Sequence, residues 1–160
     1  MAIRVGDQIP SMKLMMATAD GPKEVSTDEL FRGRKVVLFA VPGAFTPTCS
    51  LKHLPGFVEN VAAFRAKGVD AVICTAVNDA FVLGAWAKEQ GADGKVTMLA
   101  DGSGAFAKAM GLELDLVARG LGVRSQRYAL VAQDGRVTYL AVEDPGGFDV
   151  SRAEAVLAAL

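Results

Sequence analysis

The sequence predicts an α/β fold, with a central mixed β-sheet and helices on both faces. Three observations lead there. Two strongly apolar runs, residues 35–41 and 69–77, are each followed by a helical pattern, which gives strand–helix–strand units. Two alternating runs, 127–132 and 136–142, flank Gln133-Asp134-Gly135, a hairpin signal. The chain then closes on a helix that Ser151 caps and that runs through Leu160. Strand–helix–strand units followed by a hairpin and a closing helix make a mixed sheet covered on both sides.

Taken in order, residues 1–32 hold the turn Ala19-Asp20-Gly21-Pro22 between two short strands, then Ser26-Thr27-Asp28-Glu29-Leu30 as a short capped helix. The core strand at 35–41 leads to a helix from 47 to about 66, which Pro55-Gly56 should kink or break. Residues 69–77 form a second buried strand, 79–90 a helix, 96–100 a strand and 103–110 a short helix. The hairpin and the last helix complete the chain. No repeat, low-complexity tract or linker interrupts it, so one domain spanning 1–160 is expected, in a thioredoxin-like layout.

Composition narrows the function. At 160 residues and 51% apolar, the chain can bury a real core and is not disordered. Seventeen basic and eighteen acidic residues give a net charge of −1, without the basic footprint that nucleic acid requires. No apolar run approaches the roughly 18 residues of a membrane span. The opening residues, Met1-Ala2-Ile3-Arg4-Val5-Gly6-Asp7, lack the layout of a secretory signal. Two cysteines without such a signal fit a reducing compartment, and a soluble cytoplasmic protein is the expectation. With one His and two Cys a metal site has few ligands, so neither metal nor organic cofactor is expected.

The most informative segment is Val41-Pro42-Gly43-Ala44-Phe45-Thr46-Pro47-Thr48-Cys49-Ser50. A strand ends at its Pro-Gly turn, and a helix follows in which Leu51, Leu54, Val58 and Val61 share a face. Thr46 suits the N-cap and Pro47 the first helical position. That register puts Cys49 in the first turn, where free N–H groups and the helix dipole favour a thiolate. Phe45 and Pro47 would shield it. Cys49 is therefore a candidate nucleophile; the alternative at this stage is a buried small hydrophobe. Cys49-Ser50-Leu51-Lys52 lacks a second cysteine, which argues against dithiol chemistry of the Cys-x-x-Cys kind.

At these residues the chain resembles the peroxiredoxins. The segment from Pro42 to Ser50, followed by His53-Leu54-Pro55-Gly56-Phe57, is similar to the active-site segment of the type II, peroxiredoxin-five-like branch. Val77-Asn78-Asp79-Ala80-Phe81-Val82, Trp86, residues 99–106 and residues 120–129 resemble further signatures of that branch, in collinear order over nearly the whole chain. The resemblance implies a thiol peroxidase that reduces hydrogen peroxide and small organic hydroperoxides. Cys49 would be the peroxidatic cysteine, oxidised to sulfenic acid. Thr46 would offer its hydroxyl to the peroxide, Pro42 would shield the sulfur, Phe45 would help bind substrate, and Arg127 would be the active-site arginine. An arginine suits that place because it stays charged and presents several fixed donors, while unaided thiols are mostly protonated at neutral pH. On composition alone, Arg127 reads as a surface residue.

His53 lies four residues after Cys49, which permits a Cys–His pair, although a packing or hydrogen-bonding histidine is the favoured reading. Arg124 is given a secondary role in the active-site network or at a dimer surface, and Trp86 a place in or near the core. Animal members of the branch carry a resolving cysteine near the C-terminus, whereas residues 143–151 here have none. Cys74, in an apolar strand, should be buried and inert. One-cysteine behaviour follows as an expectation, with glutathione, glutaredoxin, thioredoxin or another external thiol as reductant. The resemblance also implies a homodimer, with the apolar loop around Leu114, Leu116 and Leu121 as its contact. Two rivals remain at this stage. A cysteine hydrolase would need a base from another element, and a non-catalytic binding module would not need Cys49.

Overall fold

The computed structural model describes residues 2–160. Strands β1 (Lys13–Thr18) and β2 (Gly21–Ser26) pair antiparallel across Ala19-Asp20, with Gly21 at φ +105°, a value that glycine adopts freely. Ser26 caps α1 (Thr27–Phe31) by accepting the Glu29 N–H at 3.1 Å. Next come β3 (Lys35–Ala40), the helical segment around Cys49, β4 (Ala71–Ala76), α4 (Ala80–Glu89), β5 (Thr97–Ala100) and α5 (Ala105–Met110). A second hairpin, β6 (Glu113–Leu116) and β7 (Gly122–Ser125), precedes β8 (Tyr128–Gln133), β9 (Arg136–Val142) and the closing helix α6 (Ala153–Ala158).

Seven strands form one sheet in the order β2-β1-β5-β4-β3-β8-β9. β3, β4 and β5 run parallel, and β1, β2, β8 and β9 join antiparallel, so the sheet is mixed. The alternation of β3 divides the core in two. Val37 and Phe39 pack with Leu54, Phe57, Phe64, Leu83, Trp86 and Val156 on one face. Val36 and Leu38 pack with Leu30, Phe31, Phe106 and Met110 on the other. Helices thus cover both faces, and each buried Leu, Phe or Ile contributes roughly 1.5–3 kcal/mol. Among the described residues, no helix is long and apolar enough to cross a membrane.

The β6–β7 hairpin is a correction, since this stretch reads as an apolar loop in sequence. It forms a separate two-stranded sheet, with Leu114 opposite Arg124 and Leu116 opposite Gly122. Four-residue strands with alternating half-burial carry too little apolar pattern to stand out.

The long helix also differs from expectation. It begins at Pro47, but residues Cys49–His53 form a π-turn, α2 (Leu54–Glu59) follows, and α3 (Val61–Ala66) starts after a break at Asn60. Pro55 cannot donate into the preceding turn, and its ring crowds the carbonyl there, so the chain widens just before it rather than kinking at it. The break sits instead at Asn60 (φ −106°, ψ 9°), whose side-chain amide donates to the Gly56 carbonyl at 2.7 Å. The wide turn shifts the helical phase, which explains why Leu51 is 75% exposed while Leu54 and Phe57 are buried. The last helix is shorter than expected and begins at Ala153. Ser151 does not cap it: Arg152 holds the N-cap position, which leaves Ser151 one residue outside the helix, with its hydroxyl donating to Glu143.

Candidate active site

The site forms where the C-terminal end of β3 meets the N-terminal end of β8. β3 ends at Ala40, and the turn through Pro42 and Gly43 reverses the chain above the sheet. The Ala44 N–H is held by the Asn78 side-chain carbonyl at 3.0 Å. Phe45 is half-exposed and adopts φ +66°, a strained value for a non-glycine residue. Gly43 lets the Arg124 guanidinium approach closely: a Cβ there would meet Nη1 at 2.8 Å and would displace it. Arg124 in turn donates to the carbonyls of Pro42 (3.1 Å) and Leu121 (2.7 Å), and so ties β7 to the active-site turn.

Thr46 occupies the N-cap position, with its carbonyl receiving the Ser50 N–H at 2.9 Å. Its hydroxyl does not cap the helix. It donates to the Gly43 carbonyl at 2.6 Å, which commits the proton and leaves the oxygen lone pairs as acceptors. Cys49 lies three residues further on, in the first turn and fully buried. Arg127, immediately before β8, donates from Nη2 to Cys49 Sγ at 3.1 Å. A guanidinium against the sulfur stabilises negative charge on it. The same arginine lies over the Phe148 ring, its guanidinium carbon 5.9 Å from the centroid.

His53 is fully buried and does not pair with Cys49. Its Nδ1 meets Arg127 Nη1 at 2.8 Å, and its Nε2 meets the Ser151 carbonyl at 3.0 Å. A carbonyl can only accept and a guanidinium can only donate, so Nε2 carries the hydrogen and Nδ1 presents its lone pair. Phe39, Phe57 and Phe148 surround the ring. Burial first, and the Arg127 charge second, lower the His53 pKa from 6.5 to about 3. The imidazole is therefore neutral in the folded protein at neutral pH.

This has a measurable consequence for stability. Between pH 6.5 and about 3 the unfolded chain binds a proton at His53 that the folded chain refuses. The contribution is fully present above pH 6.5 and is lost on acidification, by up to about 1.4 kcal/mol per pH unit. Denaturant unfolding at pH 7 and pH 5 should show this loss, with a shallower dependence in His53→Gln. Equal slopes in the two proteins would contradict it.

Sequence reasoning missed Glu143, Phe148 and Ser151. Glu143 follows β9 and is nearly buried, and its Oε2 accepts from the N–H groups of Asp149 (2.6 Å) and Ser151 (2.9 Å) and from the Ser151 hydroxyl (2.8 Å). Burial pushes its carboxyl up, but these donors outweigh it and hold it below the ordinary carboxylate range. Trp86 is fully buried and donates to the Ser50 hydroxyl at 2.9 Å. Cys74, opposite Phe39 and Met98 in the sheet, shares the core cluster of Cys49. Burial first, and Cys49 second, push its thiol well above the ordinary range. A cavity of about 250 Å³ opens beside the site, lined by Pro42, Thr48, Gln126, Arg127, Glu143 and the loop after it. A larger hollow of about 810 Å³ against β1, α3 and α4 includes none of these residues.

The Redoxin family model matches residues 4–157. Peroxiredoxin-2B of Arabidopsis thaliana is 48% identical over 159 residues, covering 99% of this chain and 98% of that protein. The chain belongs to the peroxiredoxin family. Peroxiredoxin-2E-2, chloroplastic, of Oryza sativa subsp. japonica is 53% identical over 163 residues, which cover 99% of this chain and 72% of that protein. The crystal structure of reduced Prx3 of Vibrio vulnificus in complex with H₂O₂ superposes with a TM-score of 0.94 at 50% identity, covering 98% of both chains. This peroxiredoxin is accordingly a thiol peroxidase of the type II branch, with a thioredoxin-like mixed sheet.

Proposed function

We propose that this peroxiredoxin reduces hydrogen peroxide and small organic hydroperoxides through Cys49 and is recycled by an external thiol. The observation that carries the reading is the 3.1 Å contact of Arg127 Nη2 with Cys49 Sγ in the first helical turn. The thiolate attacks one peroxide oxygen, the O–O bond breaks, and the departing hydroxide or alkoxide takes a proton and leaves as water or alcohol. Cys49 becomes sulfenic acid. Thr46 Oγ1, with its own hydrogen on Gly43, accepts from the peroxide hydroxyl, and Arg127 stabilises the charge that develops on the oxygens. Pro42, which with Arg127 lines the adjoining cavity, shields the reacting sulfur.

The return half needs two thiols. One attacks the sulfenic sulfur and releases water, leaving a mixed disulfide; the second displaces Cys49 as a thiol. Cys74 is poorly suited to either part, because it is fully buried inside a central strand and its thiolate is disfavoured. Glutathione, glutaredoxin or thioredoxin fits better. Two free cysteines suit a reducing compartment such as the cytoplasm. The half-exposed Leu121, beside Val117 and Val123, supports pairing of two copies into a homodimer.

Intact mass after one equivalent of hydrogen peroxide tests this reading. The expected change is the rapid gain of one oxygen, absent from Cys49→Ser. Loss of two hydrogens would mean a Cys49–Cys74 disulfide and would overturn one-cysteine recycling. No change within seconds would overturn the peroxidase role of Cys49.

A further inference from the structure

We propose that Glu143, outside the residues that touch substrate, is the positioning residue that sets the orientation of Arg127 toward Cys49, an inference that rests on the peroxidase reading above. Glu143 acts at two places. Its backbone N–H donates to the Arg127 carbonyl at 2.9 Å, extending the β8–β9 ladder by one pair beyond Tyr128 and Val142. Its carboxylate gathers the strap of residues 144–151, which carries Phe148 and Ser151, through three hydrogen bonds to one oxygen.

The strap then supplies two contacts to the site. The Ser151 carbonyl takes the His53 Nε2–H at 3.0 Å, which fixes the tautomer and aims the Nδ1 lone pair at Arg127. Phe148 packs edge-on against His53, with ring centroids 5.2 Å apart, and lies under the guanidinium. One nitrogen of Arg127 is thus held by His53, and the other is left for the sulfur. Without the carboxylate, the Ser151 N–H and hydroxyl are buried without partners, the strap loosens, and His53 is free to rotate or change tautomer. Arg127 then loses its second anchor. The ionisable groups in and around this network are Arg127, His53, Cys49, Cys74 on β4 (one strand removed from β8), and Asp144 and Asp149 in the strap.

Glu143→Gln keeps an acceptor oxygen where Oε2 stands; Glu143→Ala does not. Three readouts separate a positioning role from a merely structural one. They are the rate of Cys49 oxidation by hydrogen peroxide, the ultraviolet absorbance of the thiolate at neutral pH, and the downfield imidazole N–H resonance. The resonance is unambiguous because the chain has one histidine. Glu143→Ala should lower the oxidation rate about tenfold, reduce the thiolate absorbance and lose the resonance, while Glu143→Gln keeps most of all three. Ser151→Ala removes one of the three bonds and should show a smaller loss in the same direction, so it carries the test if Glu143→Ala does not fold. Wild-type values in folded Glu143→Ala, or Glu143→Gln falling as far as Glu143→Ala, would overturn the proposal. So would a Ser151→Ala protein unchanged in all three readouts. The resonance and the thiolate absorbance do not depend on peroxide turnover. They therefore test the positioning role even if wild-type Cys49 proves unreactive.

Discussion

Cys49→Ser should lose peroxide reduction by at least about 10³-fold, equivalent to about 4 kcal/mol at the barrier, while keeping its fold. The chemical reason is that a serine hydroxyl is not ionised at neutral pH and cannot form a sulfenic acid. Structurally the exchange is mild. Serine is close to cysteine in size, and Arg127 Nη2, now 3.1 Å from the sulfur, can donate to the hydroxyl oxygen in its place. Placing a hydroxyl in a fully buried position with one strong donor should cost no more than about 2 kcal/mol. Peroxide consumption with a saturating thiol reductant, measured beside thermal unfolding, checks both halves. Retained turnover in the folded variant would show that the chemistry lies elsewhere.

How much of this was legible beforehand depends on the physics of each element. β3 and β4 announce themselves, because a strand buried on both faces must be apolar throughout, and Val36-Val37-Leu38-Phe39-Ala40 and Val72-Ile73-Cys74 satisfy that. The Asp134-Gly135 turn is equally plain, with both residues at positive φ. Cys49, Thr46 and Pro47 were readable because a helix start has a local chemical signature. The side-chain direction of Thr46 was not, since the choice between capping the helix and bonding Gly43 depends on how the turn folds over the sheet.

The harder case is Glu143. Counting outward from the hairpin turn pairs Arg127 with Val142. A bulge between Val131 and Ala132 inserts one residue on β9 and shifts the register, so the partner of Arg127 is Glu143. The bulge has no marker in the sequence: Thr138 is an ordinary strand residue. One unreadable residue thus hid the acidic side chain closest to the network. The π-turn hid in a similar way, because Pro55 signals a disturbance but not its form.

Arg127 carries the second large expectation. Arg127→Ala removes both the donor to Cys49 and the donor to His53, and sulfenic acid formation should slow about 10²–10³-fold, the range for losing a donor to developing negative charge. Arg127→Lys is the sharper variant. It restores the positive charge but presents a single nitrogen, which cannot meet His53 Nδ1 and Cys49 Sγ as the two guanidinium nitrogens do, nor lie flat over Phe148. If geometry matters as much as charge, lysine should recover less than about a tenth of the lost rate. Stopped-flow oxidation of the reduced proteins by hydrogen peroxide measures this directly. A lysine variant as fast as the wild type would reduce Arg127 to a point charge, and the hydrogen-bonded fork from His53 to Cys49 would then be architecture without kinetic consequence.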